Sequence, residues 1–246
     1  MRIEVLKRLQ EQSDAQAEDV RRLLGRHRVA LFNIMGSPGC GKTTLLEATL
    51  SALQTRHSAL RCAVLEGDIA TLQDAERIAA LGVPVAQLLT EGGCHLKPGL
   101  VHSALRRFDL DALDCVFVEN VGNLVCPANF DLGEHRRVVV LSVAEGDDKI
   151  TKYPYAFQRA DAIVISKLDL LALCRFDLVR ARSDVRTLNP SAEVLEVSAF
   201  VGRDKARAAT RAGAAAGETP GFEAWLCWVG ETVERVRAAD FSPHRP

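Results

Sequence analysis

The sequence has no excess of either charge: 31 Lys and Arg stand against 32 Asp and Glu, a formal net charge of −1. A polyanion-binding surface built on bulk charge is therefore not expected, nor is a nucleic-acid partner. No apolar run reaches the ~18–20 residues that span a bilayer, so no membrane partner is expected either. The opening stretch "MRIEVLKRLQEQSDAQAEDV" is too charged to supply the apolar core of a signal peptide. Disulfide-type spacing is also missing, and the cysteine count, seven, is odd. These absences point to a cytoplasmic protein in which most cysteines are small buried residues. Any special ones are metal ligands or reactive thiols.

What is present is an alternation. Ile3, Leu6, Leu9, Val20, Leu23 and Leu24 form a helical apolar stripe, with Gly25 as the expected stop. Apolar runs at 28–35, 61–67, 83–89, 114–120, 136–144, 161–167 and 192–199 then alternate with amphipathic segments. The runs are continuously hydrophobic, as expected of strands covered on both faces. This predicts an α/β fold: a doubly wound, mostly parallel sheet of P-loop NTPase type with an N-terminal helix. The expected organisation is a helical extension over 1–27 and a P-loop domain over 28–246. The Ala/Gly/Arg-rich stretch 201–221 reads as a flexible insertion. Its Arg203, Lys205, Arg207 and Arg211 form either an interaction patch or a solvated loop. A closing helix follows, with Trp225, Leu226 and Val229 at helical spacing.

Ligands in such sheets sit at the carboxyl ends of the strands, and the motifs fall there. "GSPGCGKT", 36–43, matches G-x-x-x-x-G-K-[ST] between an apolar strand and a helix. Gly36, Gly39 and Gly41 free the backbone, with Cys40 and Thr44 beside them, to wrap phosphate oxygens at a helix N-terminus. Lys42 is expected on the β- and γ-phosphates and the Thr43 hydroxyl on Mg²⁺. Asp68 ends the second apolar run and Glu119 the fourth, where each would face Mg²⁺ or merely cap a loop, and their shared place on the P-loop edge favours Mg²⁺. Gly122 stands where a switch glycine offers its N–H to the γ-phosphate. Cys40 reads as a small filler, although an exposed thiol there would make binding oxidation-sensitive.

"SKLD", 166–169, resembles the N-K-x-D guanine signature. Asp169 can accept from the guanine N1–H and 2-amino group, a pairing adenine cannot make. Lys167 would lie along the base, and Ser198 and Ala199 resemble the second guanine loop. Ser166 replaces the usual Asn and, being shorter, is expected to hold the loop less firmly. Cys94 and His95, in "GGCHL", are adjacent residues of a turn, which fits either a metal site or an ordinary loop.

Several stretches together are similar to one family. "GSPGCGKTTLLE", "EGDIATLQDAERIAALGVP", "GGCHLKPGLV", "VENVGNLVCPANFDLGE", "VVVLSVAEGDDKITKYPYAF" and "SKLDLL" resemble the hydrogenase nickel-incorporation GTPase family, HypB. It is related to the urease accessory GTPase. The resemblance covers about residues 28–199. It implies a slow GTPase that cycles GTP to GDP as a homodimer and helps place nickel into [NiFe] hydrogenase. The partners implied are a HypA-like zinc/nickel-binding protein and the hydrogenase large-subunit precursor. A Ni²⁺ or Zn²⁺ site on Cys94, His95 and Cys126, shared across the dimer, is implied as well. The segment before the first strand has no Cys and only His27, so a separate high-affinity nickel motif is not expected there. Another client, such as urease, and a P-loop small-molecule kinase are the alternatives. Urease accessory GTPases usually carry Cys-Pro-His in place of "GGCHL".

Overall fold

The structure is a computed structural model that describes residues 2–55, 60–67, 72–90, 93–198 and 220–239. The proposed insertion at 201–221 and the residues Asp68 and Ala199 fall wholly or largely outside this set.

Helix α1 (Arg2–His27) leads into strand β1 (Ala30–Gly36) and helix α2 (Lys42–Thr55). Then come β2 (Cys62–Glu66), α3 (Leu72–Ala79), β3 (Val85–Gln87), α4 (Pro98–Leu105), β4 (Cys115–Glu119) and β5 (Arg136–Ser142). Short α5 (Lys149–Lys152) and α6 (Pro154–Gln158) precede β6 (Ala162–Ser166), α7 (Leu178–Leu188), β7 (Glu193–Val197) and α8 (Pro220–Arg237). The strands form a seven-stranded sheet in the order β3-β2-β4-β1-β5-β6-β7, and every pairing is parallel.

The doubly wound expectation holds, and the sheet is wholly rather than mostly parallel. Side-chain alternation along β1 explains the two layers. Phe32 and Ile34 pack with Leu46 of α2 and Trp225 and Val229 of α8. Leu31 faces the other way, toward Val20 and Leu24 of α1 and Leu105 of α4. Met35 joins Ile150, Phe157 and Val185, which covers the far half of that second face. Trp225 is fully buried and donates to Thr49 Oγ1 at 2.8 Å, locking α8 to α2. Coverage on both faces fails only at the edges, where β3 and much of β7 stay partly exposed.

One boundary differs from expectation. Gly25 does not end α1; the helix continues to His27, and Arg28 takes the left-handed conformation at φ 56°. Val29 N–H then donates back to Leu24 O at 3.1 Å, closing a Schellman-type cap without glycine. No helix among the described residues is long and apolar enough to cross a membrane.

Candidate functional site

The P-loop folds as its glycines require. Gly39 and Gly41 take φ of +74° and +99°, which a β-carbon would strain, and α2 begins at Lys42. A cavity of ≈540 Å³ opens above it, lined among others by Gly41, Lys42, Thr43, Glu119, Lys167 and Asp169. Thr44 also faces this cavity. Thr43 Oγ1 donates to Glu119 Oε1 at 2.8 Å, so the hydroxyl and carboxylate expected around Mg²⁺ already face one another. These are hard oxygen donors, which suit that ion.

The guanine-type loop is tied to the P-loop rather than loosely held. Ser166 is buried, and its hydroxyl donates to Cys40 O at 2.6 Å. Lys167, left-handed at φ 59°, donates from Nζ to Gly39 O at 2.6 Å. β6 ends close enough to the P-loop that the one Ser166 hydroxyl spans the gap. Ser198 Oγ donates to Asp169 Oδ1 in a short bond that orients the carboxylate. Cys40 is the small filler expected of it, and the alternative of an exposed thiol does not hold. Its side chain is buried in the core against Gly36, and burial pushes the thiol up to about 12. Only the backbone of Cys40 takes part in the loop.

Gly36 and Gly122 serve as contact points. A β-carbon on Gly122 would lie 3.0 Å from Pro38 Cγ, so the switch segment rests directly on the P-loop. The next residue, Asn123, forms an antiparallel bridge with Gly36. Its side chain accepts from Val125 N–H at 2.8 Å and donates to Cys94 O at 3.5 Å. One asparagine thus touches the P-loop strand, the Cys94 turn and the chain leading into Cys126.

Cys94 is exposed, Cys126 half-buried, and His95 Nδ1 lies 3.6 Å from Cys94 Sγ. The hydrogen bond between the Cys94 and Cys126 thiols holds Cys94 above its ordinary range. His95 stacks on Phe130 with ring centroids 3.8 Å apart and planes at 7°. Its Nε2 is buried without a hydrogen-bond partner among the described residues. Burial, and then the charge of Lys97, favour the neutral ring. Cys94 thus reaches both His95 and Cys126, but among the described residues no group of three or more His, Cys, Asp or Glu is placed to hold a metal ion. Two thiols and one neutral imidazole, whose Nε2 lacks a partner, are donor types of the kind that suit Zn²⁺ or Ni²⁺.

Some residues that build the site were not found from the motifs. Asn120 donates to Asn33 Oδ1 at 3.0 Å, and Asn33 donates to Glu134 Oε1 at 3.3 Å. Arg137 then clamps Glu134 through Nε at 2.8 Å and holds Ala128 O and Phe130 O. This buried chain fixes the loop that carries Cys126 and Phe130. Its sequence signal was a polar residue interrupting an apolar strand run: Asn33 in "LFNIM" and Arg137 before "VVVL".

The CobW/HypB/UreG nucleotide-binding domain family matches residues 30–196. The hydrogenase maturation factor HypB of Escherichia coli K12 is 41% identical over 213 residues, which is 87% of this chain and 67% of that one. The hydrogenase/urease maturation factor HypB of Helicobacter hepaticus is 42% identical over 190 residues, 76% of each chain. Among solved structures, HypB from Helicobacter pylori in complex with nickel superposes with a TM-score of 0.80 at 30% identity, covering 96% of this chain and all of that one. On this fold, this site and these likenesses, the chain belongs to the HypB family within the CobW/HypB/UreG nucleotide-binding domains.

Proposed function

We propose that this protein is a GTP-hydrolysing metallochaperone that assists nickel insertion into [NiFe] hydrogenase. In this reading Cys94, His95 and Cys126 hold Ni²⁺ or Zn²⁺ as cargo at a homodimer interface. The observation that carries it is Asn123, which touches the P-loop strand, the Cys94 backbone and Val125, the residue before Cys126. A change at Gly122 on phosphate loss then shifts Asn123, and with it the spacing of Cys94 and Cys126.

The roles follow from position. Lys42 balances charge on the β- and γ-phosphates, Gly122 N–H senses the γ-phosphate, and Asp169 and Lys167 select guanine, with Ser198 and Ala199 closing over the base. Mg²⁺, when bound, would rest on Thr43, Glu119 and Asp68 and neutralise the phosphate oxygens. Hydrolysis is slow, on the order of 10⁻⁴ s⁻¹, as for P-loop GTPases without a supplied arginine. Asn123 occupies the position after the switch glycine, and its side chain is engaged with Cys94 and Val125 rather than orienting water.

The dimer reading is supported by two exposed apolar side chains, Leu89 at 72% and Val125, the residue before Cys126, at 53%. A HypA-like protein and the hydrogenase large-subunit precursor are the partners this function needs. The urease branch of the function is favoured by one observation, the double description of the Helicobacter hepaticus relative.

The test is nucleotide and metal binding by variants. Asp169→Ala should lose GTP preference over ATP, while Cys94→Ala and Cys126→Ala should lose Ni²⁺ and Zn²⁺ but keep GTP. If both cysteine variants bind metal and dimerise like the parent chain, the metal assignment is wrong.

A further inference from the structure

Among the described residues, three cationic side chains line the ≈540 Å³ cavity: Lys42, Lys167 and Arg77. The P-loop and the guanine-type loop account for the first two. Arg77 belongs to neither; it comes from α3, on the far side of the cavity from Lys167's loop in sequence and in fold. Its guanidinium meets Glu47 in a parallel fork, Nε to Oε1 at 2.8 Å and Nη2 to Oε2 at 2.7 Å. The two ends differ in burial. The Glu47 side chain is 4% exposed and that of Arg77 41% exposed.

Glu47 therefore acts as a fixed base and Arg77 as the reachable end. Glu47 lies three residues after Thr44 on α2, so both project from one side of the helix, and Thr44 faces the cavity. A bidentate carboxylate also sets the plane of the guanidinium, so the positive charge of Arg77 is held in one place at the cavity wall. A cation held rigidly at the wall of a phosphate cavity loses little freedom when the anion arrives.

We infer that Arg77, pre-set by Glu47, contacts the phosphate chain of the nucleotide and is a third phosphate-binding residue of the site. This rests on the nucleotide-binding reading above and adds to it a residue that no P-loop pattern contains. The competing role is a strut that only ties α3 to α2.

Calorimetric titration of the full chain with GTP, GDP and, at millimolar concentration, guanosine separates the two. Arg77→Ala should weaken GTP and GDP by about 10- to 100-fold, the value of a charge-assisted bond, and leave guanosine binding unchanged. Arg77→Lys should recover part of the loss, because it restores charge without the fork. Glu47→Gln should weaken GTP by several-fold without touching guanosine, because it keeps the cation but loosens its plane. Should Arg77→Ala not fold, Arg77→Lys carries the test by the same GTP-against-guanosine split. Arg77 variants that bind GTP and GDP like the parent chain, or that weaken guanosine equally, make the pair a strut and overturn the inference. A parent chain that binds neither GTP nor GDP overturns the nucleotide reading itself, which is a separate and recognisable result.

Discussion

Single residues carry more of this site than their motifs suggest. Cys40 sits in the P-loop yet is sealed in the core, with its thiol pushed up to about 12 by burial. Thiol-directed reagents should therefore label Cys94 and Cys227, which are exposed, and spare Cys40, Cys62 and Cys115. Mass spectrometry after brief labelling reads this out, and modification of Cys40 in the folded chain would contradict it. Arg137 is a second case. It is buried against Glu134 and holds two carbonyls of the Cys126 loop. Arg137→Met leaves Glu134 uncompensated and should cost about 3–5 kcal/mol in chemical denaturation. Adding Glu134→Gln should recover much of that loss. His135 sets a pH dependence. Burial, then the charges of Arg136 and Arg21, lower it from 6.5 to about 4, while its Nδ1 accepts from Leu31 N–H at 3.0 Å. Between these values the unfolded chain binds more protons than the folded one, so stability rises with pH. The contribution is complete above about 6.5 and is lost as pH falls toward 4, about 3 kcal/mol in all. His135→Asn should flatten that slope in denaturation curves taken across the window.

At the scale of elements, α1 braces both halves of the Cys/His site. A β-carbon on Gly99, at the start of α4 beyond the Cys94 turn, would meet the Gln16 side chain at 2.8 Å. Asp131, beyond Cys126, pairs with Arg21. Gly133 packs so closely that a β-carbon would lie 2.5 Å from Ala17 O, and its φ is +81°. Gly133→Ala should therefore cost more than about 1 kcal/mol and lower Tm by roughly 2–4 °C per kcal/mol. The strands and the P-loop were legible because their signals are local: continuous apolar runs, and glycines at fixed spacing before a helix. The end of α1 was not. Its cap depends on where the chain must turn to enter β1, and Arg28 pays the left-handed strain that Gly25 was expected to relieve. The ties from Ser166 and Lys167 to the P-loop were hidden for a similar reason: the distance between β6 and the P-loop is not visible in the sequence. The chain from Asn120 through Asn33 to Glu134 and Arg137 joins residues far apart in sequence, so no local pattern announces it.

Across the whole molecule, the parallel sheet brings the P-loop and the proposed Cys/His metal site to one edge. β1 ends in the P-loop, β4 ends in Glu119 and the switch segment, and the Cys94 turn stands beside them. Asn123 connects the two, since it bridges Gly36 and holds both Cys94 O and Val125 N–H. Asn123→Ala should leave GTP binding and the three metal ligands in place while reducing the effect of nucleotide on metal affinity. The most direct measurement is a titration of Ni²⁺ into the GDP-bound and the GTP-analogue-bound protein. Coupling of about 1–3 kcal/mol, roughly 5- to 150-fold in affinity, is the expected result. Equal nickel affinity in the two nucleotide states would contradict it.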